Sequence, residues 1–292
     1  MANLRLPSLV FLVLMLTASA SARKYDVVTI DFPGAACTDA NGIDDDGMIV
    51  GTYSTDSSCS VSQGFILSKR GTFLMIEFPG ASFTTAQGLN PNMVIGVFGG
   101  PDLGYTVDRE GDFTTIGFAG ASGTEALGIN PEGEIVGSYT LTGSGSNNSF
   151  LFSSGSFTTI DPPGSMPPDG SSEAFGINTS GVVVGVYGTA GPSVENQGYS
   201  LANGVYTTIN FPGARVTRAF GINDSGQIVG DYQDGKRFHG FFLDLNGAFT
   251  KLDVPASTST HAHSINDNGV IVGQYTDLGG HTHGVVAIPH QP

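Results

Sequence analysis

Six polar side chains recur at one fixed place in this sequence, four residues ahead of an aliphatic position: Asp39, Thr85, Glu125, Glu173, Arg218 and His261. Carboxyl groups and imidazoles pass protons, and a guanidinium holds anions. Glu125 or Glu173 as general acid or base, with Arg218 on an anionic substrate, is therefore a workable hydrolase or lyase set for a polysaccharide. The same ring equally describes a solvated channel rim whose charges avoid burial, or a binding site for a small molecule, cation or peptide.

Five of the six histidines fall near the carboxyl end, at His261, His263, His281, His283 and His290. Alternate residues of a strand share a face, so the two His-x-His pairs raise a metal hypothesis. The pairs belong to a first and a third strand, about 9.6 Å apart, too far for one compact site. His239 and His283 occupy equivalent places, which favours a structural role, and no metal site or cofactor is assigned. Asp44-Asp45-Asp46-Gly47 resembles a calcium loop but lacks the downstream acidic ligand and reads as a turn. The nucleophile-elbow, zinc-protease, P-loop and dinucleotide motifs are all missing. Three N-x-S sites, at Asn147, Asn178 and Asn223, matter only in a host that glycosylates.

The elements that position the ring come from a repeat. Segments such as ALGINPEGEIVGSY from Ala126 and AFGINDSGQIVGDY from Ala219 occur six times. Their aliphatic markers Ile43, Leu89, Ile129, Ile177, Ile222 and Ile265 step by 46, 40, 48, 45 and 43 residues. Such periods belong to propeller blades or helical arrays, and the recurrent glycines and β-branched residues exclude helices. Each unit reads as four strands, A to D. In the fifth, A starts at Thr217, B at Gln227, C at His239 and D at Ala248, with Gly226 supplying a left-handed turn residue between A and B. The second copy lacks that glycine, so a tighter or irregular turn is expected around Pro91-Asn92. Strand B is continuously apolar, as in VVVGVY from Val182, so both of its faces are covered. Its internal glycine, Gly51, Gly96, Gly137, Gly185, Gly230 or Gly273, marks a bulge or a close approach by a neighbouring blade.

The sequence after the leader begins with a lone D strand from Tyr25 and finishes with a C strand, HGVVAI from His283, that has no D. Pairing the two gives the expected fold, an all-β six-bladed propeller of four-stranded antiparallel blades closed by the amino-terminal strand. The A–B and C–D turns then share one face. The variable D–A and B–C connections share the other, where binding usually resides. Cys37 and Cys59 lie in two such connections of one unit and are expected to form a disulfide.

Residues 1–22 read as a secretory leader, with Arg5, an apolar core from Leu9 to Leu16, and small residues up to Ala22. Residues 23–292 form one six-repeat domain. Twenty-six acids against 11 bases give a net charge of −15, which repels phosphate backbones and anionic lipid, so neither nucleic acid nor membrane is an expected partner.

The segments INDSGQIVGDY, HGFFLD and FTTINFPGA are similar to the bacterial extracellular HAF repeat, named for a His-Ala-Phe tripeptide. Here the tripeptide reads His239-Gly240-Phe241 and, more loosely, His283-Gly284-Val285. The resemblance spans nearly all of residues 25–288 and rests on the G-I-N-x-x-G-x-I-V-G segment. It implies an exported bacterial protein of undefined biochemical activity and transfers no catalytic residue. The first functional expectation is an exported, monomeric, non-catalytic module that binds an extracellular protein or glycan through the variable loops. The second is the hydrolase or lyase at the channel mouth.

Overall fold

Glycine, Asx and proline at fixed offsets cut the chain into short strands with almost no room for anything else. The structure, a computed structural model, describes residues 24–100, 102–165, 171–188 and 196–290. The predicted leader at 1–22 and loop residues 189–195 lie outside the described residues.

The amino-terminal strand β1 (Tyr25–Ile30) precedes the first full unit, β2 (Cys37–Ile43), β3 (Ile49–Ser54), β4 (Gln63–Leu67) and β5 (Phe73–Ile76). The second unit is β6 (Thr84–Leu89), β7 (Met93–Phe98), β8 (Leu103–Asp108) and β9 (Phe113–Ile116). The third is β10 (Ala121–Ile129), β11 (Ile135–Leu141), β12 (Asn147–Ser153) and β13 (Ser156–Ile160). The fourth is β14 (Ser172–Ile177), β15 (Val183–Gly188), β16 (Asn196–Ala202) and β17 (Val205–Ile209). The fifth is β18 (Thr217–Ile222), β19 (Ile228–Asp234), β20 (Arg237–Leu243) and β21 (Phe249–Leu252). The chain ends with β22 (Ser257–Ile265), β23 (Ile271–Asp277) and β24 (Thr282–Pro289). Among the described residues there is no helix, and hence none long and apolar enough to cross a membrane.

The fold is an all-β propeller, but the expected six separate four-stranded blades are not what forms. Four units stand as separate four-stranded sheets, while the first unit, the last unit and β1 run together as one eight-stranded sheet. The join is a parallel bridge between β2 and β24 at Cys37 and Thr282. At other junctions the corresponding contact is a single hydrogen bond, Thr84 N to Ser62 O or Thr124 N to Asp102 O. At the junction of the chain ends it becomes a full bridge, which merges the two units and leaves four separate blades. There β1 pairs antiparallel with β24, from Tyr25 opposite Pro289 to Ile30 opposite Gly284.

The A strands β2, β6, β10, β14, β18 and β22 contact one another in cyclic order and line a central channel. Each bulges between the ring-following alanine and the second residue after it, as at Ala40/Gly42 and Ala219/Gly221. The cause is the glycine of strand B. A Cβ on Gly230 would overlap the carbonyl oxygen of Arg218 and crowd the ring of buried Phe241. The close approach inferred for these glycines comes from the inner strand of their own sheet, not from the neighbouring blade. Outside, the Phe that closes a D strand stacks on the B-strand ring of the next unit, as in Phe78 on Phe98 and Phe211 on Tyr232.

The A–B turns follow the sequence reading. Gly226 sits at φ +83° and Gly226 N donates to Asn223 O. The glycine-free second copy closes on two residues, with Asn90 N donating to Met93 O. The turn asparagines also do something the sequence does not reveal. Asn90 Nδ2 donates to Asn130 O, Asn130 to Asn178 O, Asn178 to Asn223 O, Asn223 to Asn266 O, and Asn266 to Asp44 O. This circumferential ladder breaks at Asp44, because an ionised carboxylate has no proton to donate onward.

Asp44→Asn should therefore stabilise the fold by about 1 kcal/mol, by supplying the missing donor toward Asn90. Burial raises the Asp44 pKa against the backbone hydrogen bond from Met48. An ionised Asp44 thus costs stability above that raised value, and the gain should be larger at pH 7 than at pH 3. Urea midpoints of both proteins at the two pH values decide it, and an unchanged or lower midpoint at pH 7 refutes the ladder. Gly230→Ala should cost more than about 3 kcal/mol by the same measurement, since backbone has to move.

Candidate functional site

The six ring residues all lie on channel-lining strands, one per unit, but they do not form six equal contacts. On one side, Arg218 faces Asp231 directly across the β18–β19 pair. Arg218 Nε and Nη2 donate to Asp231 at 2.8 and 2.5 Å, and His261 Nδ1 from the next unit reaches the same carboxylate at 2.5 Å. Asp231 is 0% exposed. Burial pushes its pKa up, but hydrogen bonds from His261 and Arg218 outweigh this and hold the carboxyl below its usual range. The Arg218 guanidinium also lies over Phe220 and Phe238, at 5.2 and 4.7 Å from the ring centroids.

Around the ring, His263 Nδ1 lies 3.0 Å from Asp39 Oδ1, close enough for ionic attraction but without hydrogen-bond geometry for either atom. Burial pulls the His263 pKa down, and the Asp39 carboxylate more than reverses it. Thr85 is tied to its own sheet, accepting from Val97 N and donating to Val97 O, and takes no part in these clusters.

Glu125 and Glu173 form the acidic sector. Ser138 Oγ donates to Glu125 at 3.0 Å, and Asn147 Nδ2 donates to Glu173 at 2.7 Å. Burial, followed by the charges of Glu173 and Asp102, raises the Glu125 pKa despite the Ser138 hydrogen bond. Units three and six are opposite in the cyclic order, so Glu125 and His261 are carried by opposite inner strands. The ring thus has a carboxyl that resists ionisation on one wall and, on the other, an imidazole whose Nδ1 is held by a buried carboxylate.

A cavity lies at the other end of the channel. About 210 Å³ is lined by A–B turn residues including Asp45, Asp224 and Asp267, with Phe175, Phe220 and His263 deeper in. None of the six ring residues lines it. On the ring face the expected disulfide joins Cys37 to Cys59 in the first variable loop. Among the described residues, no group of three or more His, Cys, Asp or Glu side chains is arranged to hold a metal.

Sequence reasoning passed over Asp231. Its slot in strand B carries Thr52, Val97, Ser138, Val186 and Gln274 in the other units, so a lone charge among covered positions was the available signal.

No protein-family model matches the chain, and no curated relative does. Among solved structures it is similar to a gluconolactonase from Xanthomonas campestris, at 12% identity and TM-score 0.58 over 94% of this chain and 93% of that one. It is also similar to a catalytically inactive histidine-to-alanine variant of virginiamycin B lyase from Staphylococcus aureus with quinupristin, at 10% identity and TM-score 0.54, covering 91% of this chain and 100% of that one. The β-propeller domain of the Trilobed protease from Pyrococcus furiosus matches at 10% identity and TM-score 0.54 over 86% and 82% of the two chains. At such identities the likeness establishes the propeller fold alone.

Asp231→Ala should lower the unfolding free energy by about 3–5 kcal/mol, because it strands Arg218 and His261 beside an empty buried site. The stability that Asp231 contributes in the native protein is present above the ordinary aspartate pKa and is lost as pH falls through its depressed value. Chemical denaturation of the variant tests the claim, and a cost below about 1 kcal/mol would mean that water already serves those partners.

Proposed function

We propose that the chain is an exported propeller enzyme, a hydrolase or lyase acting at the loop-bearing mouth of its channel. Export rests on the leader-like residues 1–22 and agrees with the Cys37–Cys59 disulfide. The observation that carries the catalytic reading is that the ring holds Glu125, whose pKa is raised chiefly by burial, and, on the opposite inner strand, His261, whose Nδ1 is held by the buried Asp231. A carboxyl with a raised pKa is a better candidate for a general acid than an ordinary one. An imidazole whose Nδ1 is held by a buried carboxylate keeps Nε2 for a proton.

In this reading Glu125 protonates the leaving group and His261 removes a proton from water or from the substrate. Burial first, and then the charge of Glu173, raises the Glu125 pKa. Arg218, committed to Asp231 by two hydrogen bonds, fixes that carboxylate rather than serving as a free anion anchor. Among the solved structures of this fold, a lyase variant lacking one histidine is described as inactive, which agrees with a histidine at the centre of the chemistry.

The mature protein should be assayed against lactones, cyclic depsipeptides and uronate-containing polysaccharides, with a readout for both hydrolysis and elimination. Glu125→Gln should lower kcat/KM by about 10²–10⁴-fold without loss of folding. Wild-type activity should fall as pH rises through the raised Glu125 pKa. Turnover that survives a combined Glu125→Gln and His261→Ala change would refute the assignment.

A further inference from the structure

His281, His283 and His290 are not used by the channel mouth, and the last two sit where the chain ends meet. The closing strand β1 is weakly buried. Its four central residues are exposed, including Val27 at 39% and Val28 at 47%, so its own side chains hold it poorly. Past each end of its backbone ladder lies a histidine from the last unit. His290 Nε2 meets Asp26 at 2.8 Å, and His290 N also donates to Lys24 O. At the other end His283 Nδ1 meets Asp31 at 2.9 Å, and its Nε2 lies 3.5 Å from Asp277.

The His283 arrangement repeats an ordinary feature of the fold. In the fifth unit His239 Nδ1 binds Asp253, just beyond strand D, at 2.9 Å. His239 is 4% exposed and both partners belong to one continuous unit. His283 is its equivalent, but here the aspartate is carried by the opposite end of the chain, 252 residues away. A second cavity of about 170 Å³, lined by Asp31, Thr38, His281 and His283 among others, opens beside this pair.

We propose that β1 is a proton-controlled latch: protonated His283, paired with Asp31, clamps one end of the closing strand, and its deprotonation loosens the strand's pairing with β24. The charged or titratable groups facing the pair are Asp31 from the β1 side, Tyr275 and Asp277 from β23, and His281 at the start of β24. Asp26 and Lys24 face His290. Tyr275 stacks on His283 at 5.1 Å and shares a hydrogen bond with Thr29 on β1. His281 is itself paired with Asp277. Burial pulls the His283 pKa down, but Asp31 and then Asp277 carry it above the ordinary value. A histidine raised in this way stabilises the closed form fully below the ordinary value and loses that contribution as pH rises through its raised folded value. Once His283 is neutral, Asp31 and Asp277 lose the positive charge between them, in a chain of net charge −15.

Hydrogen exchange of the backbone amides at Tyr25–Ile30 and Val285–Ile288 reads the latch directly. Rates should be compared at pH 5.5 and 8.5 after correction for intrinsic exchange, with β18 and β19 as the internal reference. One partly exposed pair predicts about a twofold to fivefold loss of protection at the higher pH, confined to the junction. His283→Gln should show the weaker protection at both pH values, and Asp31→Asn should do the same from the opposite side. Protection that does not change with pH, that falls equally in β18 and β19, or that keeps its pH dependence in both variants overturns the proposal. Catalytic assays play no part, so the latch stands or falls separately from the channel-mouth function.

Discussion

In every unit the carbonyl of the ring residue presses against a strand-B glycine, with a C-strand aromatic ring packed behind it in most of them. No side chain fits there, so the inner strand has to come close and bulge. The bulge falls directly after the ring alanine, as between Ala262 and Ser264 in the last unit. The same contact explains why the ring alanines are 4% exposed or less, while the residues on either side of each are only partly buried.

Charge on the axis is arranged by desolvation as much as by attraction. A chain this acidic has few basic side chains to place, and it places Arg218, His261 and His263 close together on one wall. Asp231 beneath the first two survives complete burial because three charge-assisted hydrogen bonds replace its water. On the other wall Glu125 has one hydroxyl donor and two like charges nearby, and the balance tips toward the neutral acid. Glu125 in the ring and Asp231 beneath it are thus pushed in opposite directions by their neighbours.

The junction of the chain ends obeys the same packing rules with fewer resources. Elsewhere the D strand follows its C strand through a short turn, so pairing is local and entropically cheap. At the junction β1 must be recruited from the far end of the chain, and the merged eight-stranded sheet shows how firmly the ends are brought into register. The Cys37–Cys59 bond ties the start of β2 to the first variable loop, next to the Thr282 bridge. Covalent and ionic ties therefore gather where the polypeptide itself does not run through.

Reading residues alone was enough for the strand count per unit, the glycine turns, the identity of the innermost strand, the disulfide and the pairing of the two ends, because each depends on local spacing or on which edge lacks a partner. The six ring positions were visible for the same reason. Blade separateness was not, since a single bridge between β2 and β24 decides whether two units count as one sheet, and no residue pattern encodes one bridge. Nor were the asparagine ladder, the burial of Asp231 or the opposed pKa shifts of Asp231 and Glu125. Those arise between units roughly 45 residues apart, where only the closed packing decides which donor meets which acceptor and how much water is left beside them.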